Sequence, residues 1–242
     1  MLEKMIKNAA ISIIKPYLSV IEKSRKIRKT RKDTSKIDYN NVWKRYCFSM
    51  ITSQQKINKL FWTQVFQDKN WQKISGMYPK KKPPLDFVKN TLHHLKIRFA
   101  DNKAQQICNA WDRDFTIIAE EINMALSHNV SQSYSFYIRL YELELIDIIL
   151  RNLSGCGIGP KIARLMMLWD PENGMGLDVQ HIIPIDSRWL NSLEKAGINS
   201  SLLNVSTEKK YRQVEDSLVE ASYELNIFPF EADGIIFGWI LN

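Results

Sequence analysis

The chain has 242 residues, of which 45% are apolar, 25% are charged and nine are glycine, so disordered, collagen-like and membrane-spanning classes are excluded. Its length lies near the upper limit for a single core, which favours two lobes. The formal charge of +8 divides into +17 over residues 1–111 and −9 over residues 112–242, a distribution that fits either a nucleic-acid partner or a solvated basic surface.

The hydrophobic pattern predicts an all-α protein, because long stretches repeat with a period near 3.6 residues and none clearly alternates with a period of two. Residues 23–36 are dense in Lys, Arg, Ser and Thr and are predicted to form a linker or an exposed arm. Residues 80–84 form a second break. Three apolar stripes at helical spacing are predicted core helices: residues 104–118 behind Asp101 as N-cap, residues 138–149, and residues 162–169 behind Pro160.

The cysteines and the amino terminus predict an intracellular protein in a reducing compartment, and the histidines predict no metal site. The three cysteines are too far apart for a disulfide framework or a four-thiolate cluster: Cys47, Cys108 and Cys156. No metal site is predicted, because His93, His94 and His128 lack companions at ligand spacing. Lys4 and Lys7 interrupt the first apolar stretch, so no signal peptide is predicted. The expected location is intracellular, and on the nucleoid in the cytoplasm if the chain is prokaryotic.

A glycine-rich turn lies between the second and third stripes, in the sequence Leu-Ser-Gly-Cys-Gly-Ile-Gly-Pro-Lys of residues 153–161. Gly157 and Gly159 can adopt positive φ and expose backbone N–H groups, and Pro160 suits the first position of a new helix. Because a helix N-terminus attracts anions, the turn can hold a phosphate. An ordinary helix-to-helix turn is the alternative for the glycines alone.

The same residues carry a resemblance to a known family. Gly-Ile-Gly-Pro-Lys-Ile-Ala at 157–163 resembles the helix-hairpin-helix of the HhH-GPD superfamily of DNA glycosylases. The resemblance implies a two-lobed helical fold, with a barrel over residues 42–168 that ends in the hairpin. A second lobe would combine residues 1–41 with residues 169–242.

In that family, a lysine at the position of Lys161 attacks the sugar and cleaves the strand after the base is released. The family also places an aspartate downstream, and Asp178 follows Lys161 by 17 positions. The resemblance therefore implies that Lys161 is the nucleophile and that Asp178 stabilises the charge on the sugar. Gln180, His181 and Arg188 match the family only with a shift of one residue, so their roles stay open.

Two segments upstream also match the family, and they supply candidate DNA contacts. Residues 48–55 resemble the helix whose polar end enters the duplex where the damaged nucleotide leaves, which assigns that role to Gln54 or Gln55. Residues 98–107 resemble the start of the helix before the hairpin. Candidate phosphate contacts are the backbone N–H groups of Gly157 and Gly159 and four basic side chains: Lys44, Arg45, Lys56 and Lys59.

The extruded base needs a pocket, for which Trp169, Phe237 and Trp239 are candidates, although each lies in an apolar context where core packing is the more common role. The resemblance implies no cofactor other than a monovalent cation held by hairpin carbonyls. The absence of a four-cysteine iron–sulfur motif favours 8-oxoguanine as the substrate over oxidised pyrimidines.

The sequence thus predicts a bifunctional DNA glycosylase and lyase of base excision repair. Its partner would be double-stranded DNA with a damaged base or an abasic site, without a membrane, and the chain would act as a monomer. Two alternatives stay open. One is a non-catalytic helix-hairpin-helix module that binds DNA, and the other is a glycosylase for alkylated or other damaged bases.

Overall fold

A computed structural model of the chain describes residues 1–25, 37–55, 59–76, 78–128, 135–167 and 181–237. Over these residues the chain is helical and has no strand, which confirms the predicted all-α class. The α-helices are α1 (Leu2–Ile14), α2 (Leu18–Arg25), α3 (Tyr39–Thr52), α4 (Lys59–Gln67), α5 (Lys69–Gly76), α6 (Leu85–His94), α7 (Ala100–Ala110), α8 (Phe115–His128), α9 (Ser135–Asn152), α10 (Pro160–Met167), α11 (Ser187–Lys195), α12 (Glu208–Glu224) and α13 (Pro229–Phe237). Short 3₁₀ turns occupy Lys15–Tyr17 and Ser200–Leu202.

The first of two hydrophobic cores is built on α3. This helix begins with a capping box, in which Asp38 accepts from the backbone of Asn41 and the Asn41 side chain accepts from the backbone of Asp38. Trp43 is fully buried, with its ring centroid 5.0 Å from Trp111 and 5.2 Å from Phe115. Helices α7, α8 and α10 pack around α3. The residues of this core run from Ile37 to Ile182.

The second core joins the start of the described chain to its end. Helix α1 packs along α12, and α13 packs against α11 and α12. Trp189 and Tyr211 are its largest buried side chains. Its residues come from positions 6–21 and 183–235, so the chain passes from one core to the other between Ile182 and Ile183. Ile37 and Ile182, both within the ranges predicted for the second lobe, lie in the first core.

A buried ion network connects the two cores. Arg164 of α10 is fully buried and donates to Glu215 of α12 at 2.6 and 2.8 Å and to Glu208 at 2.9 and 3.0 Å. Arg139 of α9 lies 3.5 Å from the same Glu215 carboxylate. Because a buried carboxylate is stable only when it is paired, these contacts fix α10 against α12.

One predicted helix start is wrong. The structure divides the stripe at residues 104–118 between α7 and α8, and the N-cap of α7 is Phe99 in a left-handed conformation with φ 57°. Asp101 lies inside the first turn, where its charge interacts favourably with the helix dipole without capping. The Asp101 carboxylate therefore does not mark the N-cap of α7.

Across the described ranges, none of the helices has both the length and the apolar character that a membrane span requires.

Replacing Arg164 with Met should lower the free energy of unfolding by about 3 kcal/mol, because the buried Glu215 carboxylate loses its closest cation. Urea unfolding measures the loss. The matched control is Arg151→Met, which breaks an exposed pair with Glu121 and should change stability by less than about 0.5 kcal/mol. A loss as small as that of the control would contradict the proposed tie between the cores, whereas Arg164→Met with Glu215→Gln should recover part of the loss.

Candidate functional site

In the turn between α9 and α10, Gly157 has the positive φ expected from the sequence, whereas Gly159 does not. Gly157 has φ 76°, and a Cβ atom there would lie 2.3 Å from the Gln106 side chain. The position favours glycine because of its positive φ, since the atoms that a Cβ would meet are the movable end of the Gln106 side chain. A Cβ atom on Gly159 would meet no heavy atom within 4 Å, so this glycine faces open space.

Side chains of the first core hold the turn in place. The Tyr46 hydroxyl lies 2.9 Å from the carbonyls of both Gln106 and Cys156. Arg113 donates to the Ser154 carbonyl at 2.7 Å. The turn is thus joined to α3, to α7 and to the loop that precedes α8.

Arg45 corrects one of the predicted DNA contacts. The side chain is fully buried and donates to the carbonyls of Met166 and Leu165, both at 2.7 Å. These carbonyls lie at the end of α10, where a helix leaves acceptors unsatisfied. The prediction that Arg45 contacts a DNA phosphate is wrong, because its guanidinium caps α10 inside the protein.

Lys161 lies on the first turn of α10, where the two cores meet, and it is half-buried. Among the described residues, three charged groups that shift its pKa come from elements of the second core: Asp186 and Arg188 at the start of α11, and Asp233 on α13. Burial lowers the pKa of the Lys161 amine, while Asp186 and Asp233 raise it and Arg188 lowers it. An amine with a lowered pKa is neutral, and hence nucleophilic, in a larger fraction of molecules.

Asp233 is a buried carboxyl group beside this amine. Trp189 donates its indole N–H to Oδ1 at 3.0 Å, whereas Oδ2 is buried without a hydrogen-bond partner among the described residues. Burial raises the pKa of Asp233 to about 8, against the Trp189 hydrogen bond, which lowers it. The group is therefore mostly protonated at neutral pH and adds little charge to the site there.

The turn after α3 presents Gln54 to solvent. Gln54 is exposed with φ 60°, and Gln55 is half-buried. Arg98 donates to the Gln54 carbonyl at 3.4 Å, and Lys103 of α7 donates to the carbonyls of Ile51 and Ser53. The exposed Gln54 thus lies in a turn whose backbone carbonyls accept hydrogen bonds from two cations, Arg98 and Lys103.

The remaining predicted residues divide into three groups. Lys44 is exposed on α3, as a phosphate contact requires, while His181 is buried and its Nδ1 lies 3.0 Å from Glu142. Arg188 is exposed at the start of α11. Outside the described residues or side chains lie Lys56, Lys59, Trp169, Asp178, Gln180, Phe237 and Trp239.

Sequence reasoning missed Lys103, Asp186 and Asp233. Lys103 lies among polar residues, a pattern that predicts an exposed side chain. Asp233 lies about 70 positions from Lys161 along the chain. No local pattern marks either residue, because only the packing of α7 and α13 brings them near the turn. The monovalent cation implied by the resemblance stays a prediction.

Two solved structures are similar to this chain over nearly its whole length. No family model matches the sequence, and no curated protein matches it. The crystal structure of Methanocaldococcus jannaschii 8-oxoguanine DNA glycosylase is similar, with a TM-score of 0.55 and 20% identity over 100% of this chain and 93% of that chain. The Methanocaldococcus jannaschii 8-oxoguanine glycosylase/lyase in complex with a 15mer DNA containing 8-oxoguanine gives a TM-score of 0.54 and 17% identity, over 99% of this chain and 96% of that chain. The chain has the helical fold of these proteins, which confirms the predicted resemblance at the level of the fold.

Replacing Gly157 with Ala should cost about 1–2 kcal/mol of folding free energy, because alanine is strained at positive φ. The end of the Gln106 side chain can move away from the added Cβ atom, so it adds little to this cost. Gly159→Ala is the matched control and should cost less than about 0.5 kcal/mol, since the space around it is open. Urea unfolding compares the two variants, and equal losses would contradict the strained conformation at position 157.

Replacing Asp233 with Asn should make the protein more stable relative to wild type as the pH rises. Burial raises the pKa of folded Asp233 to about 8, whereas unfolded Asp titrates near about 4. The folded state therefore holds an extra proton between these values, and wild type loses stability as pH rises through that range. Thermal unfolding between pH 5 and pH 9 measures the difference, with the exposed Asp147→Asn as control. A difference in Tm that does not depend on pH would contradict the raised pKa.

Proposed function

We propose that the protein is a bifunctional DNA glycosylase and lyase that removes a damaged base, with 8-oxoguanine as its substrate. The observation that carries this proposal is the half-buried amine of Lys161. This residue lies in the first turn of α10, directly after the glycine turn and between the two cores. The fold is shared with structures of 8-oxoguanine glycosylases, one of them with DNA containing 8-oxoguanine. An amine with a lowered pKa is a poorer phosphate ligand and a better nucleophile than an exposed ammonium group, which favours the enzyme over the non-catalytic alternative.

The reaction begins with the neutral amine. Nζ of Lys161 forms a bond to C1′ of the deoxyribose, and the glycosidic bond breaks with its electron pair and a proton going to the leaving base. The C1′–O4′ bond then opens, with its electron pair and a proton from water going to O4′, to give a protonated Schiff base. Water takes a proton from C2′, and the C3′–O bond breaks with its electron pair leaving on the 3′ phosphate, which cleaves the strand. Asp178 would stabilise the positive charge that develops on the sugar.

The damaged nucleotide must be extruded from the duplex for this chemistry, since C1′ and the base cannot be reached inside the duplex. The hairpin N–H groups of Gly157 and Gly159 and the exposed Lys44 would hold phosphates. Gln54 would enter the space left by the extruded nucleotide, where its amide can pair with the orphaned base. Because phosphate contacts release counterions, binding should weaken steeply with salt.

Replacing Lys161 with Gln should abolish the covalent adduct that borohydride traps on duplex DNA with a single 8-oxoguanine, since glutamine has no amine for the Schiff base. The exposed Lys195→Gln is the matched control and should form the adduct as wild type does. Denaturing gels count the adduct and the nicked strand. Wild type that releases no base from a panel of oxidised and alkylated duplexes would overturn the proposal, and release of an alkylated base in preference would replace 8-oxoguanine as the substrate.

A further inference from the structure

Tyr46 is a buried tyrosine of α3 whose hydroxyl lies against the glycine turn. Its side chain is fully buried, and the hydroxyl oxygen lies 2.9 Å from the carbonyl oxygens of both Gln106 and Cys156. A tyrosine hydroxyl has one hydrogen, so the two carbonyls share it as acceptors. One side chain of α3 thus holds the backbone of α7 and the backbone of the turn together.

The position of the Cys156 carbonyl decides the direction of the next N–H group. The C=O of Cys156 and the N–H of Gly157 belong to one peptide unit, which is planar and trans. In such a unit the oxygen and the hydrogen point in opposite directions. Because the oxygen points at Tyr46, the N–H of Gly157 points away from it, and this N–H donates to no group among the described residues.

The same relation occurs at the preceding glycine of the turn. Arg113 donates to the Ser154 carbonyl at 2.7 Å, and this carbonyl shares its peptide unit with the N–H of Gly155. Gly155 and Gly157 both have positive φ, at 79° and 76°. In both cases a side chain from another segment holds the oxygen, and the N–H of the same peptide unit has no acceptor among the described residues.

A fixed direction is what an anion requires of a neutral donor. An N–H group that is held in one direction binds an anion more tightly than one that must first be turned, because the ordering is complete before binding. Backbone N–H groups oriented in this way act as fixed partial charges, and they are among the groups that position a phosphate. The contact between Tyr46 and Cys156 therefore bears on how well the turn can bind DNA.

We propose that Tyr46 is a positioning residue that fixes the N–H of Gly157 in the direction required to bind a DNA phosphate. The inference rests on the proposed function, because it needs the turn to hold a phosphate of the damaged strand. Tyr46 is buried and acts only through the Cys156–Gly157 peptide unit. It serves the binding of DNA and not the attack by Lys161, so affinity and reaction rate should respond differently to its loss.

The first test measures the affinity for a duplex with a tetrahydrofuran analogue of an abasic site, by fluorescence anisotropy over a range of salt concentrations. Tyr46→Phe removes only the hydroxyl, and Kd should rise about fivefold, as for the loss of one oriented hydrogen bond. The factor should be the same at every salt concentration, because no charge is removed. Lys44→Gln should instead reduce the slope of log Kd against log salt by about 0.9.

Borohydride trapping on a duplex with a true abasic site separates binding from reaction. In Tyr46→Phe the half-saturating enzyme concentration should rise about fivefold, whereas the rate at saturation should stay within about twofold of wild type. Tyr211→Phe is the matched control, because the buried Tyr211 hydroxyl also donates to a backbone carbonyl, that of Ile183 in the second core. It should lower the free energy of unfolding as Tyr46→Phe does and keep the affinity of wild type.

Nuclear magnetic resonance observes the Gly157 amide directly. Cys156–Gly157 is the only Cys-Gly pair in the sequence, so ¹³C-carbonyl cysteine combined with ¹⁵N-glycine selects this single amide. Its proton resonance should move downfield when wild type binds the tetrahydrofuran duplex, because the N–H then donates to a charged acceptor. The movement should be smaller in Tyr46→Phe. The measurement on wild type stays decisive if Tyr46→Phe does not fold.

The outcomes distinguish the two proposals. If wild type neither binds the duplex nor forms the adduct, the proposed function fails and the role of Tyr46 fails with it. If wild type does both, and Tyr46→Phe keeps its affinity or the Gly157 amide of wild type does not respond to DNA, the glycosylase proposal stands and the inference about Tyr46 is wrong. An equal loss of affinity at every salt concentration that is absent in Tyr211→Phe supports the inference.

Discussion

Helix α10 is held between the two cores by two buried guanidinium groups, and the rest of the site depends on this arrangement. Arg45 of the first core caps its last carbonyls, and Arg164 on the helix itself pairs with Glu215 of the second core. The helix is therefore fixed at its end and along its side. Because Lys161 lies one turn before Arg164, the position of the amine relative to the second core follows from the same contacts.

Buried cations at helix ends are a recurrent device in this chain. Arg45 and Lys103 donate to backbone carbonyls at the ends of α10 and α3, and Arg139 donates to the carbonyl of His181 outside the helices. The carbonyls at the helix ends lack partners within their own helices, so a buried cation there satisfies acceptors that would otherwise be costly. Two of these residues belong to the half of the chain with the large positive charge. That charge thus overstates the basic surface available to a nucleic acid.

The sequence predicts those features whose signal is local. The glycine turn, Pro160 at the start of α10 and the all-α class follow from backbone preferences and from periodicity, and the structure confirms the helices on either side of the turn. The buried roles of Arg45, Lys103 and Asp233 could not be predicted in this way. Each lies in a helix whose hydrophobic pattern does not show which polar side chain will be buried. The burial depends on contacts with distant segments, such as the end of α10 for Arg45 and Trp189 for Asp233.

The backbone conformation of Gly157 has an evolutionary consequence. A side chain at position 157 would displace the end of the Gln106 side chain, which has room to rotate, whereas the backbone conformation of Gly157 is fixed by the turn. Asparagine is the substitute best able to adopt this left-handed conformation. Among homologous chains, position 157 should therefore be restricted to Gly and Asn, while position 106 is free to vary.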